Sequence, residues 1–181
     1  MRLAAEAGLQ VSQLIRRNGK GYLQSRFRNF CQMASFQTVL VLADLDRARS
    51  PSELLADWFG TREAPSGLVV RFAVREVEAW ILADHQAMRE LVGSRAGRFP
   101  DDPESLLDPK QTLLNLARRA PRQVRDDLLP ARGAVASQGL GFNSRMSEVI
   151  QRSWDPARAS KQSPSLQRAR NRLREVAERL L

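Results

Sequence analysis

The stretch Thr38–Leu55, TVLVLADLDRARSPSELL, decides the fold. Thr38 to Leu42 is dominated by β-branched and apolar side chains, the composition of a buried strand. The run then meets Asp44 and Asp46 with neither glycine nor proline in between. Ser50 and Pro51 read as an N-cap and a first helical residue, so SPSELLADWF starts a helix. If the chain stays extended, residues two apart point to one side, and both carboxylates stand together beyond the strand's carboxyl end. Open α/β sheets place their ligands there. Asp44 and Asp46 would repel each other, and a hard divalent cation such as Mg2+ or Mn2+, which takes oxygen ligands, relieves that repulsion. The alternative is that Asp46 caps a turn while Asp44 accepts backbone N–H bonds.

Downstream, GLVVRFAV (Gly67–Val74) predicts a second buried strand, and REVEAWILAD runs from it straight into a helix at Arg75. Its apolar side carries Val77, Trp80 and Ile81, with Met88 further on, and its first turn carries Glu76 and Glu78. Acids in a first turn suit the helix dipole, which is reason enough for them to occur. Yet two neighbouring strands would each end in carboxylates, an arrangement that suits a divalent metal and phosphoryl chemistry. Upstream, QVSQLI (Gln10–Ile15) alternates polar and apolar and predicts a short strand. Asn18, Gly19 and Gly21 predict a turn, and Tyr22, Leu23, Phe27 and Phe30 recur at helical spacing. The expected order is strand, helix, strand, helix, strand, helix around a parallel sheet. From Ile81 onward only helical segments are evident, among them DPKQTLLNLARRA, RMSEVIQRSW and the C-terminal SPSLQRARNRLREVAERLL. The last places Leu166, Ala169, Leu173, Val176, Ala177 and Leu180 on one face and arginines around the rest.

The whole chain sets further bounds. At 181 residues it is expected to form one structural domain, with an α/β core over residues 1–92 and a helical extension over 93–181. The longest strongly apolar run, near Val39–Ala43, falls well short of the roughly 20 residues of a membrane span. Glu6 sits where a signal peptide would need apolar residues, and Cys31 is the only cysteine, so no membrane association and a reducing cytoplasmic location are expected. The net charge of +9 points to nucleic acid as partner, with a solvated basic surface as the bland alternative. Lys20, Lys110 and Lys161 are the only lysines; arginine supplies the rest, the residue suited to bidentate phosphate contact. His85 is the only histidine, which excludes histidine metal clusters and is read as a surface residue after a helix break at Asp84. NGKGY lacks the spacing of a phosphate-binding Walker loop. Asp108 and Pro109 read as N-cap and first helical position, and Trp58, Trp80 and Trp154 as packing residues.

Taken together, VLVLADLDRA, VRFAVREVEAWILAD, DPKQTLLNLA and GLGFNSRMSEVI resemble a family of small bacterial Toprim-like proteins. These are similar to the Toprim nuclease domains of OLD-type phage-defence proteins, which work with an ATPase. The resemblance covers the chain from about Leu9 to the last helix. It implies a Toprim-like, Rossmann-like parallel sheet flanked by helices and followed by an all-helical half. By the same resemblance, Asp44 and Asp46 match the acidic pair that holds Mg2+, Glu78 and Glu76 the acid after the next strand, and Lys110 a lysine that steadies a scissile phosphate. The implied activity is Mg2+-dependent phosphodiester cleavage with an ATPase as protein partner and oligomers open; the alternative is a non-catalytic module binding nucleic acid or the ATPase. A Toprim domain opens with a strand ending in glutamate, for which nothing here matches. MRLAAEAGLQ reads instead as the tail of a helix closed by Gly8, so the missing strand is expected upstream of Met1, lost in a truncated relative, or supplied by a partner, and the sheet is expected to expose an edge.

Overall fold

A computed structural model describes residues 2–15, 19–48, 50–60 and 63–180. The chain is mixed α/β, with two parallel strands among many helices. In order these are α1 (Arg2–Glu6), α2 (Gly19–Ser25), α3 (Phe27–Met33), β1 (Val39–Asp44), α4 (Pro51–Phe59), β2 (Leu68–Ala73), α5 (Val77–Leu82), α6 (His85–Val92), α7 (Pro109–Ala117), α8 (Arg122–Leu128), α9 (Phe142–Arg152), α10 (Pro156–Ala159) and α11 (Pro164–Leu180). β1 and β2 run in register from Val39 opposite Leu68 to Asp44 opposite Ala73. The connection through α4 is the expected crossover, and Ser50 Oγ accepts from the Glu53 N–H as its cap.

Two expectations fail in the N-terminal part. Gln10–Ile15 is irregular rather than a strand, and Leu14 and Ile15 are exposed. A six-residue alternation buries nothing unless a neighbouring strand takes up its hydrogen bonds, and among the described residues none lies beside it. Gly19 and Gly21 belong to α2 rather than a turn; Asn18 lies outside the described residues. The helical spacing from Tyr22 to Phe30 holds, divided between α2 and α3. Met1 aside, the opening does end a helix: Gly8 has φ of 75°, and the Leu9 N–H bonds back to Ala4 O at 2.9 Å.

β2 explains how the two halves join, because it is buried on both faces. Leu68, Val70 and Phe72 point with Val41 and Ala43 into one core, closed by Phe27 and Phe30 of α3 and by Leu54 and Trp58 of α4. Trp58 meets Phe27 and Phe72 edge to face at 5.2 and 5.5 Å. Ala73 belongs to a second, larger core built on Trp80, Leu82, Met88, Leu113, Phe142 and Leu166. Each such buried side chain contributes about 1.5–3 kcal/mol. The Trp154 indole N–H donates to Trp80 O at 2.9 Å, and Trp80 donates to Ser165 Oγ at 2.7 Å, so these tryptophans pack the interior as expected. On the face opposite the first core α11 covers β2, while Leu40 and Leu42 of β1 stay exposed.

After β2 the described residues are helical or irregular only. α11 buries Leu166, Ala169, Leu173 and Val176; Ala177 is half-buried and Leu180 exposed. His85 is not a free surface residue. It opens α6, half-buried, donates from Nε2 to Pro100 O at 2.9 Å and lies 5.4 Å from the Phe99 ring. Asp84 caps α6 through the Ala87 N–H. Among the described residues no helix is long and apolar enough to cross a membrane.

Candidate active site

The carboxyl ends of both strands lead to acids. β1 stops at Asp44, whose Oδ1 accepts the Val77 N–H at 2.8 Å. Val77 is the first residue of α5, so an acid from the neighbouring strand end, thirty-three positions earlier, caps that helix. α5 opens at Val77 rather than at Arg75, so Glu76, expected in its first turn, holds the N-cap position with extended backbone and makes no side-chain capping bond to α5. Its Oε2 instead accepts the Lys110 N–H of α7 at 3.2 Å. Glu78 lies in the first turn of α5 and is 9% exposed, and Lys110 Nζ approaches its Oε1 to 4.0 Å. The same ammonium stands 5.0 Å above the Phe142 ring, a cation–π contact that fixes it over the acids. Asp44, Glu76, Glu78 and Lys110 thus come together from β1, the loop after β2, α5 and α7.

Asp46 is placed differently. The strand ends at Asp44, and Asp46 follows in a turn with φ of 53°, while burial still alternates from Val41 to Asp46. Its backbone N–H donates to Arg75 O at 2.8 Å, and the Arg75 guanidinium returns bonds to Asp46 O and Ala48 O. This loop is stapled to the start of the next, and the exposed Asp46 stands at its tip.

The electrostatics of the group are strained. Burial pushes the Glu76 carboxyl up, the Lys110 backbone bond pulls it down, and the carboxylates of Asp108 and Asp44 push it further up. Glu78 is likewise raised, by burial first, then against its own backbone bond and Lys110 by Glu76 and Asp44. Asp108 caps α7 through the Gln111 N–H, as read from DPK, but it also adds negative charge beside Glu76, which the sequence does not announce. Among the described residues, no three His, Cys, Asp or Glu side chains gather into a ready metal cage. The donor set nevertheless fits a hydrated Mg2+, which accepts one or two carboxylates and retains waters. The raised proton affinity of Glu76 and Glu78 marks hard oxygens that would gain from such an ion.

Residues 4–174 match a family described as a Domain of unknown function (DUF4276). The chain belongs to this DUF4276 family. Comparisons with curated proteins and with solved structures found no match. The DUF4276 match takes in the whole acidic group from Asp44 to Lys110.

Sequence reasoning passed over the most completely buried acid. Asp84 is 1% exposed and accepts from Asp155 N at 2.7 Å and from Arg158 Nε and Nη2 at 3.0 and 2.8 Å. Only a helix break at this position is legible in the sequence; the partners from α10 and its N-cap lie more than seventy residues away. With every contact matched, this group fastens α6 to α10 and is a structural pair.

Proposed function

We propose that this protein is a Toprim-like, Mg2+-dependent nuclease whose strand-end acids serve phosphodiester cleavage. The observation that carries the reading is the buried Glu78 carboxyl, held among Asp44 and Glu76 with Lys110 as its cationic neighbour. A structural acid gains partners as it is buried, as Asp84 does; Glu78 keeps a raised proton affinity, which is typical of functional sites. Asp44, Glu76 and Glu78 would hold the metal, and Asp46 at the loop tip would serve it from the solvent side. Bound Mg2+ supplies neutralisation of phosphoryl charge and a lowered pKa for a coordinated water. Lys110, steadied over Phe142, would hold a phosphoryl oxygen, and the Lys110 N–H orients Glu76. The basic surface would bind the nucleic acid, and the resemblance extends the reading to an ATPase partner in phage defence.

A second reading has its own observation. Asp44 and Glu76 already accept backbone N–H bonds from Val77 and Lys110, which suffices to explain both in a non-catalytic module that binds nucleic acid or an ATPase. Titration of Mn2+ and Mg2+ into the full chain by calorimetry, beside plasmid and RNA cleavage assays, separates the two. Asp44→Asn keeps an oxygen to accept from Val77, so its fold is expected intact, with metal binding and cleavage lost. A variant that cleaves as fast as the parent refutes the nuclease.

A further inference from the structure

A second cluster of charge, which includes none of the strand-end acids, lines a cleft of about 520 Å³ between α11, β2 and the first turn of α4. Arg71 of β2 and Arg168 and Arg172 of α11 line it, with Asn171, Glu175 and Ser52. The α11 residues fall at helical spacing, so one face of that helix presents them together. Arg71 interrupts an otherwise apolar strand, LVVRFA, and is itself half-buried. It spends Nη1 on Val70 O at 2.8 Å, while its Nε is buried and has no hydrogen-bond partner among the described residues. A buried donor left unsatisfied costs about 1–3 kcal/mol, so a missing acceptor is the economical explanation.

The charges argue the same way. Burial, and next the neighbouring Arg172, make the protonated form of Arg71 harder to keep; Glu175 opposes this and Arg168 adds to it. Arginine does not escape by losing its proton near neutral pH, so the repulsion persists until an anion enters. Glu175 answers it in part, bonded to Arg172 Nη1 at 2.7 Å. Three guanidinium groups against one carboxylate leave a positive excess, and planar guanidinium forks match the oxygens of phosphate. Ser165, also on the wall, is already engaged with Trp80 and Glu104 and is not part of the ligand set.

We propose that this cleft binds a phosphate group through Arg71, Arg168 and Arg172. The phosphate belongs either to a small phosphorylated molecule or to a nucleic-acid backbone, and the site stands independently of the acids at the strand ends. Calorimetric titration of the full chain with inorganic phosphate, and separately with a short single-stranded oligonucleotide, tests it on the parent, Arg168→Ala, Arg172→Ala and Glu175→Gln. Phosphate affinity is expected to fall about tenfold in each arginine variant, the loss of one charge-assisted contact. Glu175→Gln is expected to bind several-fold tighter, since it frees Arg172 and removes the competing charge. A purely structural role for the cluster predicts no such gain. Oligonucleotide binding weakened by the same substitutions and displaced by phosphate assigns the cleft to the nucleic-acid backbone; phosphate binding that shifts alone assigns it to a small ligand. The proposal is overturned if the parent does not bind phosphate, or if both arginine variants bind it as the parent does. Mn2+ titration of the same proteins reads the acidic site separately, so failure of one leaves the other testable.

Discussion

Replacing Glu78 by glutamine is expected to stabilise the folded protein while removing the metal binding proposed for this site. Glu78 is nearly buried, and its cationic neighbour Lys110 stands 4.0 Å away with a side chain still 33% exposed. At an effective dielectric of about 20 that attraction is about 4 kcal/mol. Desolvating a carboxylate costs several kcal/mol, and Glu76 and Asp44 add repulsion. The balance falls against the charged form, which is why the Glu78 proton is held more tightly than usual. The unfolded chain therefore releases this proton at lower pH than the folded one. Stability from this group is fully present below the unfolded pKa and is lost as pH rises through the folded value. Glutamine has no proton to lose, so Glu78→Gln is expected to gain about 0.5–2 kcal/mol near neutrality, the usual size of a single stabilising substitution. Losing a first-turn acid's dipole interaction, about 0.3–1 kcal/mol, works against that gain. For a chain of this length each kcal/mol moves Tm by about 2–4 °C. Urea unfolding of both proteins at pH 5 and pH 8 reads the difference, with the larger gap expected at pH 8. A variant less stable than the parent by about 3 kcal/mol or more at pH 8 would mean that Glu78 is half of a structural buried pair, whose disruption costs about that much, and the electrostatic argument would fall.

Asp84→Ala has the opposite expectation, a loss of about 3–5 kcal/mol in urea unfolding, because Arg158 and two backbone N–H groups lose a buried partner. Burial alone would raise the Asp84 pKa, but the bonds from Arg158, Asp155 and Ala87 outweigh it and hold it low. The parent should therefore shed stability in acid as pH falls through that lowered value, a loss absent from the Asp84→Ala acid-unfolding curve. Gly139→Ala would put a Cβ 2.2 Å from Asp127 O and 2.7 Å from Leu129 O, both backbone, so about 1–3 kcal/mol should be lost, with faster amide exchange in the 129–141 loop. Ser50→Ala removes the α4 cap and should cost about 1 kcal/mol by thermal unfolding.

What the sequence made legible is what is local. β1, β2, the Ser50 and Asp108 caps and the apolar face of α11 as far as Val176 are written in consecutive residues, and each forms where its spacing indicates. Gln10–Ile15 shows the limit, since a period of two describes a strand only if something lies beside it to pair. The acids show it again. That Asp44, Glu76 and Glu78 follow two strands is visible in the order of residues, whereas the cap that Asp44 provides for α5 and the bond from Lys110 to Glu76 depend on the parallel register and on α7 packing against α5. Asp46, past the end of β1 in a left-handed turn, lies where strand alternation alone no longer describes the chain. Arg71 was open to notice, as a charge inside an apolar strand, but its neighbours arrive from nearly one hundred residues away.

The same distinction changes what the net charge of +9 means. Much of the arginine is occupied: Arg158 with Asp84, Arg145 with Asp127 and Glu148, Arg170 and Arg174 with Glu6, Arg98 with Asp101. Most of these cations join one helix to another, and a phosphate could take such a cation only by leaving a carboxylate uncompensated. Arg170, with a side chain 7% exposed, is out of reach in any case. Arg71 and Arg168, by contrast, form no ion pair among the described residues and share a cleft. Affinity for a polyanion depends on how many phosphates are neutralised by cations able to displace counterions, not on the total charge of the chain. An excess of positive charge in composition is therefore weak evidence for nucleic-acid binding, while arginines that repel one another across a half-buried wall are stronger evidence, because the folded protein bears their cost in the absence of a ligand.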